Sequence, residues 1–267
     1  MTSFNNKIVV ITGASEGIGR ALAIKFSEQK AKLVIAARNE NRLNELKNEI
    51  EKSGAKALVV PTDITNQDAC QKLIDCAVKE YGSIDVLINN AGRTMWTTFE
   101  DIEDISIFRQ LMELNYLGSV HCTYYALPYL KESKGQIVGI SSVAGLNGVP
   151  CRTAYSASKH AMFGFFDSLR VELKTSGVSV TMIAPDFVLS EIHKRAFDGS
   201  GKPLGESPLQ ESKIMTAEEC ASLTIQAIEK RDRVLITSLR GKLGRWVKLF
   251  APSLIDMVAA KAIKNAK

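Results

Sequence analysis

Apolar runs rich in Val, Ile and Leu recur along this chain, and stretches of helical periodicity separate them. The runs cover residues 8–12, 32–36, 57–61, 86–89, 136–141 and 179–184, with a weaker one at 233–237. Near-continuous apolar runs of this length read as strands buried on both faces, the situation of a parallel sheet covered by helices on each side. The intervening stretches are amphipathic: within 42–53, Leu43, Leu46 and Ile50 share one helical face. The pattern predicts an α/β fold, a single doubly wound domain around a mostly seven-stranded parallel sheet. In such a sheet ligands sit beyond the carboxyl ends of the strands.

A chain of 267 residues suits one large domain, and no linker-like composition or block of like charge interrupts the alternation before residue 190. We assign 1–240 to a catalytic domain and 241–267 to a basic helical tail. Residues 190–213, with Asp198-Gly199-Ser200-Gly201-Lys202-Pro203, read as a long lid-like loop. The five cysteines form no C-x-x-C pair and there are three histidines, so a metal site has no support. Scattered cysteines, a polar start at Thr2-Ser3-Phe4-Asn5-Asn6-Lys7 and no membrane-length apolar run suggest a cytoplasmic protein. Net charge is +5, but residues 240–267 hold seven Lys/Arg and one Asp, so the rest of the chain carries −1. Basicity belongs to the tail, which argues against nucleic acid as a partner.

The first run leads into Thr12-Gly13-Ala14-Ser15-Glu16-Gly17-Ile18-Gly19 and then a helix. Glycines after an N-terminal strand allow a tight turn and close approach of backbone to a pyrophosphate, which the helix N-terminus attracts. This is the turn of a Rossmann-type dinucleotide site. At the end of the second run stands Arg38, where an NAD enzyme usually carries an acid for the ribose 2′-hydroxyl. A guanidinium suits a 2′-phosphate, so the expected cofactor is NADP(H), with NAD(H) the alternative because Glu40 lies two residues on.

Tyr155 and Lys159 are four apart and share a helical face. An ammonium beside a phenol favours the phenolate and lowers its pKa. Such a pair alone is common. Here a strand ends in Ser141-Ser142 thirteen residues earlier, so the Ser142 hydroxyl can reach a substrate oxygen at the sheet's mouth.

Taken together, these residues resemble the short-chain dehydrogenase/reductase family. TGASEGIG at 12–19, Asp63 after a strand, Asn89-Asn90-Ala91-Gly92, Asn115 in a helix, Ser142, and Tyr155 with Lys159 follow the family's order and spacing over about residues 5–190. The resemblance implies hydride transfer between the nicotinamide and a carbonyl or secondary alcohol. Asn115, Ser142, Tyr155 and Lys159 would be catalytic, with Tyr155 the proton donor and Asn115 holding a water that links Lys159 to solvent. Gly13, Ser15, Glu16, Gly17, Ile18, Gly19, Arg38, Asp63, Ile64, Asn90, Ala91, Gly92, Tyr155, Lys159, Pro185 and Val188 would bind cofactor, Asp63 at the adenine edge. It also implies a homodimer or homotetramer through helices around 105–130 and 154–174. One position departs from the family: Asp186 follows Pro185 where glycine is usual, and aspartate tolerates positive φ less well.

Leu243, Trp246, Val247 and Phe250 recur at helical spacing beside Lys242, Arg245 and Lys248, and 253–264 is patterned similarly. Such a helix can lie on an anionic membrane. Burial of its apolar stripe against protein is the commoner arrangement and the one expected here. Ala37-Arg38-Asn39-Glu40, residues 115–120 and residues 154–160 are similar to reductases of lipid- and steroid-type ketones, such as the 3-ketodihydrosphingosine reductases. That likeness implies a hydrophobic small-molecule substrate. A 3-oxoacyl thioester, a sugar alcohol, or a non-catalytic NADP-binding scaffold stays open at this point.

Overall fold

The computed structural model describes residues 4–209 and 214–264. Within them lies a seven-stranded, all-parallel sheet in the order β3-β2-β1-β4-β5-β6-β7. The strands are β1 (Ile8–Thr12), β2 (Lys32–Ala37), β3 (Lys56–Pro61), β4 (Val86–Asn89), β5 (Gln136–Ile140), β6 (Ser179–Ala184) and β7 (Val234–Ile236). Each lies within one residue of its expected bounds.

The sheet is buried on both faces, and the period of two divides each strand between two cores. Val9, Ile11, Leu33, Ile35, Val86 and Ile88 pack on one side, against α1 (Gly17–Glu28), α2 (Glu40–Lys52) and α7 (Ala217–Glu229). Val10, Val34 and Leu87 face the other, toward α3 (Gln67–Tyr81), α5 (Gly118–Ser133) and α6 (Thr153–Glu172). This is the doubly wound arrangement that the apolar runs predict. Side chains satisfy the helix starts. Asn39 Oδ1 accepts from Arg42 N at 3.1 Å and Asn66 Oδ1 from Ala69 N at 2.9 Å. Thr216 and Glu219 form a reciprocal capping box at α7.

Between α4 (Ser106–Met112) and α5 the helix widens into a π turn, Glu113–Leu117, which takes one extra residue and buries Asn115. The expected lid, 190–213, is described to residue 209; residues 210–213 lie outside the described part, as do 1–3 and the polar start at Thr2-Ser3. Over 190–209 it holds no helix or named strand, only isolated bridges, yet it is anchored. Phe197 is buried with Met95, Leu111 and Tyr155 in a third core, and its backbone exchanges hydrogen bonds with Thr94 (3.0 Å) and Trp96 (2.8 Å).

The tail forms α8 (Leu239–Phe250) and α9 (Pro252–Lys264). The expected boundary at 240 falls inside α8, whose first turn is capped by Ser238 accepting from Gly241 N at 3.0 Å. Helix α8 meets the domain with its small face. A Cβ on Gly241 would lie 2.7 Å from Val143 Cγ1, and Lys248 Nζ donates to Leu146 O at 2.8 Å. Leu239, Leu243, Trp246, Leu249 and Phe250 remain exposed. The domain itself therefore leaves this apolar stripe uncovered. Glycine allows the closer backbone approach, and that contact turns the stripe outward.

Candidate active site

The parallel register brings the carboxyl ends of β1, β4, β5 and β6 to one edge, where the strand order reverses between β1 and β4. A cleft of about 600 Å³ opens there. It is lined by Gly13, Ser15, Glu16, Gly17, Ile18, Arg38, Asp63, Ile64, Asn90, Ala91, Gly92, Ser142, Tyr155, Lys159, Pro185 and Val188. The sequence-selected residues thus meet in one place, with Gly19 and Asn115 just behind its wall.

Gly13 has φ +66°, the left-handed region in which glycine is unstrained. Asn90 holds this turn: its Nδ2 donates to Thr12 O (2.9 Å) and Gly13 O (3.1 Å), and its N donates to Thr12 Oγ1 (3.0 Å). Asn90 is thereby a brace for the turn as well as part of the cleft wall. Glu16 stands at the N-cap of α1 but makes no side-chain cap bond, so its side chain does not occupy the first-turn N–H groups where Gly17 and Ile18 line the cleft. A glycine cradle under an uncapped helix N-terminus fits a dinucleotide pyrophosphate.

Arg38 is exposed at the rim beside Asn39 and Arg42. The sequence reading missed Arg42, four residues after Arg38 and so one helical turn away. It also missed Arg195, in the segment after β6. Glu16 joins both, at 2.5 Å to Arg42 and 2.6 Å to Arg195, tying the segment after β6 to the glycine turn. Arg93 Nε donates to Arg195 O at 2.8 Å. Burial, then the nearby charges of Arg38 and Arg195, push the Arg93 pKa down. Positive potential therefore gathers at this end of the cleft. Asp63 Oδ1 accepts from Thr65 N (3.0 Å) and Thr65 Oγ1 (2.8 Å), a local turn ahead of α3, while Ile64 is buried beneath it.

At the other end Tyr155 is buried, with Ser142 beside it. Ser142 Oγ accepts from Ala144 N at 3.1 Å and donates to Pro185 O at 3.4 Å. Lys159 is buried and pairs with no carboxylate among the described residues; its Nζ donates to Ile140 O at 2.8 Å and lies 5.9 Å from the Tyr155 ring centroid. Burial pulls the Lys159 pKa down to about 7. Burial also pushes Tyr155 up, opposed first by the charge of Arg152 and then by hydrogen bonding from Ser142. The expectation that Lys159 lowers the phenol's pKa is corrected: with a pKa near 7 it is only partly charged at neutral pH, and desolvation outweighs the attraction.

Both N–H groups and the oxygen of the Asn115 amide have partners. Nδ2 donates to Arg93 O (2.9 Å) and Ser158 Oγ (2.9 Å), and Oδ1 accepts from Arg93 N (2.8 Å). It fixes the Gly92–Arg93 backbone against the Lys159 tip, as a Cβ on Gly92 would lie 3.1 Å from Asn115 Oδ1 and 3.5 Å from Lys159 Nζ. Asp186 has no positive φ, so it carries no strain of that kind. Its carboxylate accepts from Arg240 Nη2 (2.6 Å), Arg240 Nε (3.1 Å), Ser238 Oγ (2.7 Å) and Phe187 N (3.1 Å). The departure from the family pattern ties the start of α8 to the end of β6.

A family model described as short chain dehydrogenase matches residues 7–200. A dehydrogenase/reductase SDR family protein 7-like from Dictyostelium discoideum is 37% identical over 266 residues, covering 97% of this chain and 83% of its own. An 11-beta-hydroxysteroid dehydrogenase A from Sesamum indicum is 33% identical over 258 residues, covering 94% of this chain and 74% of its own. A crystal structure of a short chain dehydrogenase/reductase from Burkholderia phymatum in complex with NAD superposes with a TM-score of 0.84 at 26% identity, covering 95% of this chain and 96% of that one.

Proposed function

This chain belongs to the short-chain dehydrogenase/reductase family, and with it to the nicotinamide-dependent oxidoreductases of hydroxyl and carbonyl groups; on that premise we propose that it uses NADP(H) to reduce the carbonyl of a hydrophobic small molecule, with Tyr155 as proton donor. The observation that carries the reading is the meeting of Tyr155, Ser142 and Lys159 in the cleft that the Gly13–Gly17 turn and Arg38 line. NADP(H) is favoured over NAD(H) because Arg38 and Arg42 present two guanidinium groups at the end of β2, where a 2′-phosphate would lie. The apolar side chains of Val143, Val149, Phe187 and Ile192 at the other end support a hydrophobic substrate.

A bound nicotinamide dinucleotide supplies the hydride. The Gly13–Gly19 turn and the open N-terminus of α1 would hold its pyrophosphate, with Ser15, Glu16 and Ile18 in the turn. Asp63, Ile64 and the 90–92 backbone would flank the adenosine half, and Pro185 and Val188 the nicotinamide half. Ser142 donates a hydrogen bond to the substrate oxygen and orients it. Tyr155, kept protonated by burial, gives its proton to that oxygen as charge develops. Lys159, with a pKa of about 7, restores that proton, and Asn115 shapes the solvent end of the relay by holding Gly92–Arg93 in place. Tyr155→Phe should reduce turnover by about 10²–10⁴-fold while cofactor affinity is retained. Retention of most activity would refute the assignment.

The exposed apolar row on α8, continued by Leu254, Met257 and Val258 on α9, reads as a peripheral contact with an anionic membrane, because Lys242 and Arg245 flank it. Flotation with vesicles containing phosphatidylserine should carry the full chain and leave a 1–238 form behind. No described helix is long and apolar enough to cross a membrane. Exposed Tyr124 and Val171 on α5 and α6 support a homodimer or homotetramer through those helices.

A further inference from the structure

Arg152 is three residues before Tyr155, at the N-cap of α6, and is 5% exposed. Its Nη2 is buried with no hydrogen-bond partner among the described residues. The carboxylate of Asp186 is committed to Arg240, Ser238 and Phe187 N. Asp186 still attracts the guanidinium through space, while aromatic rings form its immediate surround: its Cζ lies 4.4 Å from the Trp96 ring centroid, 5.1 Å from Phe187 and 5.9 Å from Tyr155. Ring faces stabilise the charge, but they leave in-plane N–H donors unfilled, and an unfilled buried donor is costly. A second orphan lines the same cleft. His193 Nε2 donates to Val188 O at 3.2 Å, and its Nδ1 is buried with no hydrogen-bond partner among the described residues.

We infer that Arg152 recognises an oxyanion on the substrate, a carboxylate or a phosphate monoester, which makes the substrate an anionic carbonyl compound with an apolar body. The inference rests on Tyr155 being the proton donor only in placing the anion on the molecule that is reduced. A planar fork held between aromatic faces binds a carboxylate or phosphate through two N–H groups at once. The short reach between the guanidinium and the Tyr155 ring sets that anion a few bonds from the reacting carbonyl. Once paired, Arg152 no longer draws the phenol toward phenolate, so the anion also keeps Tyr155 protonated for donation.

Trp96 stacks on Arg152 and reports its environment. The only other tryptophan is Trp246, so Trp246→Phe leaves one fluorophore at the site. With that protein saturated in NADP⁺, dodecanoate, dodecyl phosphate and dodecanol are titrated while Trp96 emission is followed. At least one anion should bind about 10- to 100-fold more tightly than the alcohol, and the tighter of the two identifies the oxyanion. Arg152→Met should erase that margin, leaving dodecanol and NADP⁺ affinities within about twofold. If Arg152→Met fails to bind NADP⁺, Arg152→Lys, which keeps the charge and loses the planar fork, decides by the same comparison. Equal binding of all three ligands by the parent protein, or an equal loss for all three in the variant, would overturn the proposal. Adding Tyr155→Phe should not alter the anion preference. Anion preference in a protein that reduces no carbonyl would therefore sink the catalytic reading and leave the Arg152 site standing.

Discussion

Lys159 is held in the fold at a cost that can be measured. Its ammonium is buried, and its pKa falls from 10.5 to about 7. The folded protein therefore binds fewer protons than the unfolded chain between those values, and this group makes stability rise with pH across that window. At about pH 7 its protonation equilibrium weighs against folding by about 4 kcal/mol, since each pKa unit is worth about 1.4 kcal/mol. At about pH 9.5 the weight is about 1 kcal/mol by the same relation. Lys159→Met removes the titration but leaves Ile140 O without the Nζ donor now at 2.8 Å, a loss of about 1–3 kcal/mol that does not depend on pH. The ligand-free variant should then be more stable than the parent at about pH 7 and equal or less stable at about pH 9.5. The difference between the two measurements should be about 3 kcal/mol. Urea unfolding of both proteins at both pH values reads this directly, because every other titrating group cancels. A variant less stable by the same amount at both pH values would show that Lys159 is not a desolvated cation, and the relay assigned to it would lose its basis. Loss of reductase activity in the same variant is also expected, a stabilising change that removes function.

Three further outcomes follow from the site. Arg38→Asp should raise the KM for NADPH far more than that for NADH, and equal effects in steady-state assays with both cofactors would remove the 2′-phosphate assignment. Gly19→Ala places a Cβ 2.3 Å from Gly13 O and 2.5 Å from Asn90 Nδ2; it should cost about 1–3 kcal/mol of stability and weaken dinucleotide binding, measured by urea unfolding and by calorimetric titration. Asp186→Ala should free the start of α8 and expose 238–242 to limited proteolysis. Asp186 has a pKa held below the usual carboxylate range despite burial, by Arg240 and Ser238, so its contribution is present above the ordinary carboxylate pKa and lost as pH falls through the lowered one. The parent tail should therefore become protease-sensitive in acid.

Much of the cleft was legible because its residues sit at strand ends, and strand ends were marked by where apolar runs stop. Thr12, Asn89, Ser141 and Ala184 each close such a run, with Ser142 next along the chain, and parallel pairing in register then brings them to one edge. The residues missed are charged ones that act through distant partners. Arg42 and Arg195 meet at Glu16 across 26 and 179 positions of chain, a relation with no local signature. Arg152 looks in sequence like any solvated arginine, and only the closure of Trp96, Phe187 and Tyr155 around it removes it from water.

The amino-acid order alone determined the doubly wound sheet, the glycine turn and the Tyr155–Lys159 pairing, because each depends on periodicity or spacing within a few residues. Tertiary structure decided the desolvation of Tyr155 and Lys159, the isolation of Arg152, the bond from Asp186 to the tail, and which face of α8 meets solvent. Desolvation and ion pairing depend on everything that surrounds a group, and that surrounding exists only once distant segments have packed together.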